Sequence, residues 1–352
     1  MRVVLLRRNI RFKQRSAKRR AVLSVFIVLA VLIAFILLVA ISSLTNADKL
    51  MKKDGEVVPP YATNRFSSFR SVTFTSGGGQ IPLKGWLVET RVTPPRATLI
   101  IVHQQGSNRL PYGLATTSLY TQLTKAGFQI LAFDLRHSGE SGGEMSSFGY
   151  AEAEDVRMAL EWVIRNTSQN PIVFYGFGSG TTAIIRMMDQ LKKEVDSEMS
   201  DTTPEIEPAP ENSLSAIEIK KRISAIIVDS PARDSDEFIK TAVHEDGNKL
   251  FFWLKNTTPY AVRMSIGNSE RIDHFAEFTT LTLPVMVFGH EIDSILPVSA
   301  YRPMIDERLR LHPAWTSVFE AEGSGHLSSY TDDPEEYTEA LLEFLQKWFP
   351  KN

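Results

Sequence analysis

PIVFYGFGSGTTAIIRMMDQ (171–190) is the stretch on which the reading of this chain turns. Pro171 to Tyr175 is a short apolar run with the length and β-branching of a buried strand. Thr181 to Gln190 reads as a helix, and Gly176, Gly178 and Gly180 make a tight turn between the two. A dinucleotide-binding loop would need a third glycine where Thr181 stands, and the Gly-Lys-Ser/Thr of a nucleotide-phosphate loop is absent. The turn therefore reads as a tight strand-to-helix connection and not as a phosphate-binding loop.

Outward from this turn, strands alternate with helices. Phe69–Thr75 and Ile81–Glu89 read as a hairpin across Gly77-Gly78-Gly79. Ala97–His103, Gln129–Asp134, Ser224–Val228 and Pro284–Phe288 are continuous apolar runs, the mark of strands covered on both faces. Leu114–Ala126, Tyr150–Asn166 and Pro334–Phe349 read as helices, and Trp315–Glu320 as the last strand. This order predicts an α/β fold: a mostly parallel sheet with an antiparallel edge and helices on both faces.

Several short motifs follow one another along this framework. Val102-His103 ends a strand, with Gly106 just beyond. Phe133 to Gly143 reads Phe-Asp-Leu-Arg-His-Ser-Gly-Glu-Ser-Gly-Gly. Gly289 to Asp293 reads Gly-His-Glu-Ile-Asp with Pro297 after it, and Gly323 to His326 reads Gly-Ser-Gly-His. Together, from about Phe69 to Phe349, these resemble the α/β-hydrolase superfamily, in particular membrane-tethered and serine-peptidase-like hydrolases with small caps. The resemblance implies a nucleophile elbow at 176–180, Asp293 as the acid and His326 as the base of a catalytic triad. It implies an oxyanion loop at His103-Gln104-Gln105 in which the Gln105 N–H is one donor and the Ser179 N–H the other. It also implies that the loop at Asp134 braces the site.

Two residues depart from that pattern. Gly178 stands where the family carries its nucleophile, and it has no side chain to attack with. Gln104 stands where the family has glycine after the histidine. Ser179, one residue on, is a tentative replacement nucleophile, although serine is favoured at a helix start for its own reasons.

Composition bounds the rest. The 352 residues contain no cysteine, which excludes disulfides, thiolate metal sites and a cysteine nucleophile. No His/Asp/Glu spacing suggests a metal site, and no cofactor is expected. Residues 1–20 form a basic tail with nine of the 39 Lys and Arg, leaving 30 against 41 acids in the remainder. An acidic body argues against nucleic-acid binding. Ala21 to Leu44 is uncharged and long enough to span a bilayer core of about 30 Å. It reads as an uncleaved anchor, longer than the apolar region of a signal peptide. The basic residues before it predict a cytoplasmic N-terminus and an extracytoplasmic domain. Residues 45–68 read as a linker and 69–352 as the hydrolase domain, with a cap region at 232–283. The acidic, proline-containing stretch 191–222 reads as a mobile insertion. Phe251, Phe252 and Trp253 read as cap core, with a substrate wall or a membrane-facing lid as alternatives.

Three functional readings follow. The first is a membrane-anchored hydrolase-fold protein with weak or no hydrolysis that binds a small ester- or amide-like ligand. The second is an active esterase or peptidase-like hydrolase using Ser179 with His326 and Asp293. The third is a non-catalytic membrane scaffold.

Overall fold

The computed structural model describes residues 2–200, 214–245, 251–267 and 270–351. It opens with one long helix, α1 (Arg2–Met51), and a hairpin, β1 (Phe69–Ser76) and β2 (Ile81–Val88). The alternating core follows: β3 (Thr98–Val102), α2 (Thr116–Lys125), β4 (Gln129–Phe133), α3 (Glu152–Asn166), β5 (Ile172–Phe177) and α4 (Ser179–Ser200). Next come α5 (Ala216–Arg222), β6 (Ile223–Asp229) and the cap helices α6 (Ser235–Glu245), α7 (Leu254–Ser265) and α8 (Phe275–Thr279). The chain closes through β7 (Val285–Asp293), α9 (Val298–Leu311), β8 (Thr316–Gly325), α10 (Ser329–Asp332) and α11 (Pro334–Trp348).

Eight strands form one sheet in the order β1-β2-β4-β3-β5-β6-β7-β8. The first two pairings are antiparallel and the rest parallel. β3, β4 and β5 are buried along their whole length, as the continuous apolar runs required. One face packs on α3, α4 and the cap through residues such as Val156, Leu160, Ile184 and Leu191. The other packs on α2 and α11 through Leu119, Leu123, Leu341 and Phe344. β5 sits at the middle of the sheet, so whatever its C-terminal end carries is held on both sides.

Three boundaries differ from the sequence reading. Residues 45–68 are not a free linker. α1 continues unbroken to Met51, and Ala47, Leu50 and Met51 are buried in the core. Val58 and Ala62 are buried beyond it, and the Glu56 N–H donates to the Gly106 carbonyl at 2.9 Å. The helix crosses its polar stretch because those groups find partners. The Trp253 Nε1–H donates to Ser42 Oγ (3.0 Å), Thr258 Oγ1 donates to Asn46 Oδ1 (3.1 Å), and Ser43 and Thr257 share a hydroxyl–hydroxyl bond of 2.6 Å. Tertiary contacts here override the turn preference of Ser and Asn.

The second difference is the acidic stretch 191–222. α4 extends through Ser200, burying Leu191 and Val195, and α5 covers Ala216–Arg222. The Glu198 carboxylate accepts from Ala216 N–H at 2.8 Å, an acid capping the start of a helix. That backbone bond also draws the Glu198 pKa down. Residues 201–213 of the expected insertion lie outside the described residues.

The third concerns the ends of β7 and β8. Both run past their apolar segments, and Asp293 pairs directly with Gly325 in parallel register. The expected acid turn is thus the end of a strand.

His274, which precedes α8, adds a pH dependence. It is buried and its Nδ1 has no hydrogen-bond partner; burial, with Arg186 nearby, holds its pKa down to about 4. Unfolded chains take up this proton below about 6.5, but the folded one resists until about 4. Stability is therefore lost as pH falls through that window, by about 3 kcal/mol in full. Thermal melts of the detergent-solubilised chain at pH 7 and pH 4.5 should show the loss, and His274→Gln should flatten it.

Candidate active site

The elbow is built by close approach. A Cβ at Gly180 would lie 2.3 Å from the Val102 carbonyl oxygen, so only glycine lets the first turn of α4 pack against the end of β3. Gly178 is the apex. Its φ of +48° lies in the left-handed region, which glycine enters freely and other residues enter under strain. The Gly178 N–H donates to the Asp229 carbonyl (2.9 Å), and its own carbonyl accepts from Thr181 N–H (3.0 Å) and Thr181 Oγ1 (2.6 Å).

Adjacent strand ends bring Asp293 and His326 together. β7 ends at Asp293, β8 ends at Gly325, and His326 follows. His326 Nδ1 lies 2.7 Å from Asp293 Oδ2, and both side chains are more than nine-tenths buried. Asp293 Oδ1 accepts from the Ile295 and Leu296 N–H groups at 2.9 and 2.7 Å, so the carboxylate is fixed from both sides. Donation from Nδ1 to the carboxylate leaves Nε2 of the neutral ring as the bare, proton-accepting nitrogen. The turn after His326 is braced too: the Leu327 N–H donates to Ser230 Oγ (3.2 Å), which donates to Asp229 Oδ1 (3.0 Å).

Ser179 opens α4 and is 3 % exposed. Its Oγ accepts the Gln105 N–H at 2.8 Å. No hydrogen bond joins it to His326. The amide expected to receive an oxyanion is therefore occupied by the hydroxyl expected to replace the nucleophile. The Gln105 side chain turns the other way, accepting from the Phe148 N–H at 3.2 Å and donating to Ser146 Oγ.

His103 does not line the cavity, which corrects its place among the oxyanion and binding residues. It is fully buried, with Nδ1 2.8 Å from the Gln104 carbonyl and Nε2 accepting from Leu135 N–H at 3.0 Å. Those bonds tie β3 to the Asp134 loop, and burial lowers its pKa, keeping the ring neutral.

Gln104 fills the space over the apex. A Cβ at Gly178 would meet Gln104 Oε1 at 2.9 Å, Gln104 Cβ at 3.1 Å and Leu327 Cδ1 at 3.2 Å. The loop carrying Gln104 is clamped from behind by Arg109, which nothing in the sequence marks. Arg109 is 1 % exposed and ion-paired to the fully buried Asp134.

A cavity of about 720 Å³ opens above this arrangement, floored by Gln104, Gln105, Ser179 and His326 and walled by Phe148 and Phe238. Lys49, Leu50, Lys52 and Lys53 line its rim from the end of α1. Chemically the site offers a positioned base at His326 and backbone donors at the start of α4.

No protein-family model and no curated protein matches the sequence. Solved structures do match. The esterase Pf2001 of Pyrococcus furiosus superposes with a TM-score of 0.60 at 22 % identity, over 85 % of this chain and 98 % of that one. A thermophilic esterase from Thermogutta terrifontis gives 0.52 at 17 %, over 80 % and 99 % of the two chains. The α/β hydrolase GrgF from Penicillium sp. sh18 gives 0.51 at 18 %, over 81 % and 100 %. Sheet order, helix placement and these likenesses agree: the chain has the fold of the α/β-hydrolase superfamily.

Proposed function

We propose that this chain is a membrane-anchored protein of serine-hydrolase type in which Gly178 has replaced the nucleophile, leaving weak or no hydrolysis and a cavity that binds an ester- or amide-like ligand. One observation carries the reading: the left-handed apex is Gly178, and the Gln104 side chain crowds the space that a Cβ at this position would enter, with Oε1 2.9 Å and Cβ 3.1 Å from it. Losing the nucleophile of a serine protease costs about 10⁶ in turnover. Ser179 is a poor substitute, because its Oγ already accepts the Gln105 N–H and makes no bond to His326. The intact Asp293–His326 pair and the open cavity favour ligand binding over a bare scaffold.

Anchoring rests on α1. One helix segment, Arg19–Met51, is long and apolar enough to cross a membrane. Its side chains from Arg19 to Leu38 are exposed, far more contiguous apolar surface than a soluble monomer leaves in water. The basic tail favours a cytoplasmic N-terminus with the hydrolase-fold domain on the other side.

The test is fluorophosphonate labelling of the full chain in detergent, with adducts mapped by mass spectrometry. The expected result is no adduct at Ser179 in the native protein. A Ser179 adduct that disappears in both Ser179→Ala and His326→Ala would overturn the proposal in favour of an active hydrolase.

A further inference from the structure

Beside the catalytic-type cavity, α1 and α7 leave a second concavity that the hydrolase reading does not use. It is a groove of about 470 Å³ between Phe35, Val39 and Leu44 of α1 and Tyr260, Ala261 and Met264 of α7. Among the described residues its other hydroxyl-bearing lining residues are Ser43 and Thr257, which lie 2.6 Å apart and within hydrogen-bond distance of the Val39 and Trp253 carbonyls, so their two protons are taken up among those contacts. The wall away from the Tyr260 hydroxyl therefore offers a ligand no free donor, which suits hydrocarbon and not water.

The position of the groove says what would fill it. Phe35 to Leu44 belong to the uncharged run that ends at Leu44, so the neighbouring solvent is lipid if that run crosses the bilayer. The cap shows the same face. Phe252, Tyr260 and Met264 are 78 %, 51 % and 49 % exposed. Trp253 packs edge-on against Phe35 at 5.6 Å and donates to Ser42. Aromatic residues with one polar atom beside an apolar span are the signature of the headgroup level. The charged residues begin one turn further along α1, with Asp48, Lys49, Lys52 and Lys53. Lys49 at the cavity rim lies five positions beyond Leu44 in the groove, about 8 Å along a helix axis.

We propose that the α1–α7 groove seats an acyl chain of a bilayer lipid, so that the cap is docked on the membrane surface rather than held away from it. This rests on the reading of α1 as a membrane anchor, and the experiment separates the two. The full chain is reconstituted in phosphatidylcholine vesicles carrying a small fraction of phosphatidylcholine with a photoactivatable diazirine in one acyl chain. After irradiation, adducts are mapped by mass spectrometry.

Adducts are expected on α1 between Val25 and Leu32 and also on Tyr260 or Met264 of α7. Ala40→Trp, at an exposed groove position, should lower the α7 adducts at least tenfold while leaving those at 25–32 unchanged. Label on α1 without label on α7 would overturn the groove and leave the anchor standing. Label on neither would overturn both. Because the chain has no cysteine, Met264→Cys gives a clean further check. Efficient disulfide-linked dimers through that position, with α7 unlabelled, would give the groove to a second copy and overturn the lipid.

Discussion

Gly178→Ser alone is expected to gain little fluorophosphonate labelling, whereas Gly178→Ser combined with Gln104→Gly is expected to gain at least about 10³-fold over the native chain. The argument is steric first. A Cβ at 178 lies 2.9 Å from Gln104 Oε1 and 3.1 Å from Gln104 Cβ, so a serine there must displace the glutamine to reach His326. The amide end can swing away, but the Cβ is tied to a backbone clamped by His103. Conformation comes second. At φ +48° a serine carries about 1–3 kcal/mol of strain that glycine does not, so both variants should be less stable by that amount. The upper bound on the gain is the worth of a nucleophile, about 10⁶. Labelling rates for the native, single and double forms, with circular dichroism melts to establish folding, decide the matter. A folded double variant that stays unlabelled would mean that His326 and the backbone donors do not form a working site, and the assignment of Gly178 as a vacated nucleophile position would fall with it.

Most of the framework was legible because it is written in period and apolar content. Strands buried on both faces announce themselves as unbroken apolar runs, and Gly176, Gly178 and Gly180 mark a turn that no other residue type would fit as well. What the sequence does not disclose is carried by polar residues whose meaning depends on distant partners. Asn46 reads as the start of a tether, and Ser42 and Ser43 as the last turn of the span, because their hydrogen-bond partners, Thr258, Trp253 and Thr257, lie more than 200 positions away. Glu198 looked like one more acid in a disordered stretch until α5 supplied the N–H it caps. At the site, the motif order put Asp293 and His326 forward, and the hydrogen bond between them is present. The same motif put His103 at the oxyanion loop without revealing that both its nitrogens face inward. Nor could it show that Ser179 Oγ and the Gln105 N–H satisfy each other, since neither bears on the other until β3 and α4 are packed.

Arg109→Ala is expected to produce the largest loss of stability, about 3–5 kcal/mol, and to disorder the loop over the elbow. Arg109 is almost wholly buried; it bonds Asp134 and also Glu140, at 2.8 Å, while its guanidinium carbon stands 4.6 Å from the Trp86 ring centroid. Removing one partner of a buried pair strands the other, and that uncompensated charge dominates the cost. The Asp134 carboxylate would keep only the backbone N–H groups of residue 109 and Glu140, each at 2.8 Å. Arg109→Lys should lose most of the same energy, because an ammonium cannot bridge both carboxylates and stack on Trp86 at once. Replacing both partners with apolar residues, Arg109→Met with Asp134→Leu, should recover part of the loss, since no charge is left unpaired. Recovery should be incomplete because the two backbone N–H groups then lose their acceptor. Thermal melts of the full chain in detergent compare all three variants with the native protein. If Arg109→Ala costs less than about 1 kcal/mol, the pair is not what holds residues 104–108 against the Asp134 loop, and the position of Gln104 over Gly178 must have another cause.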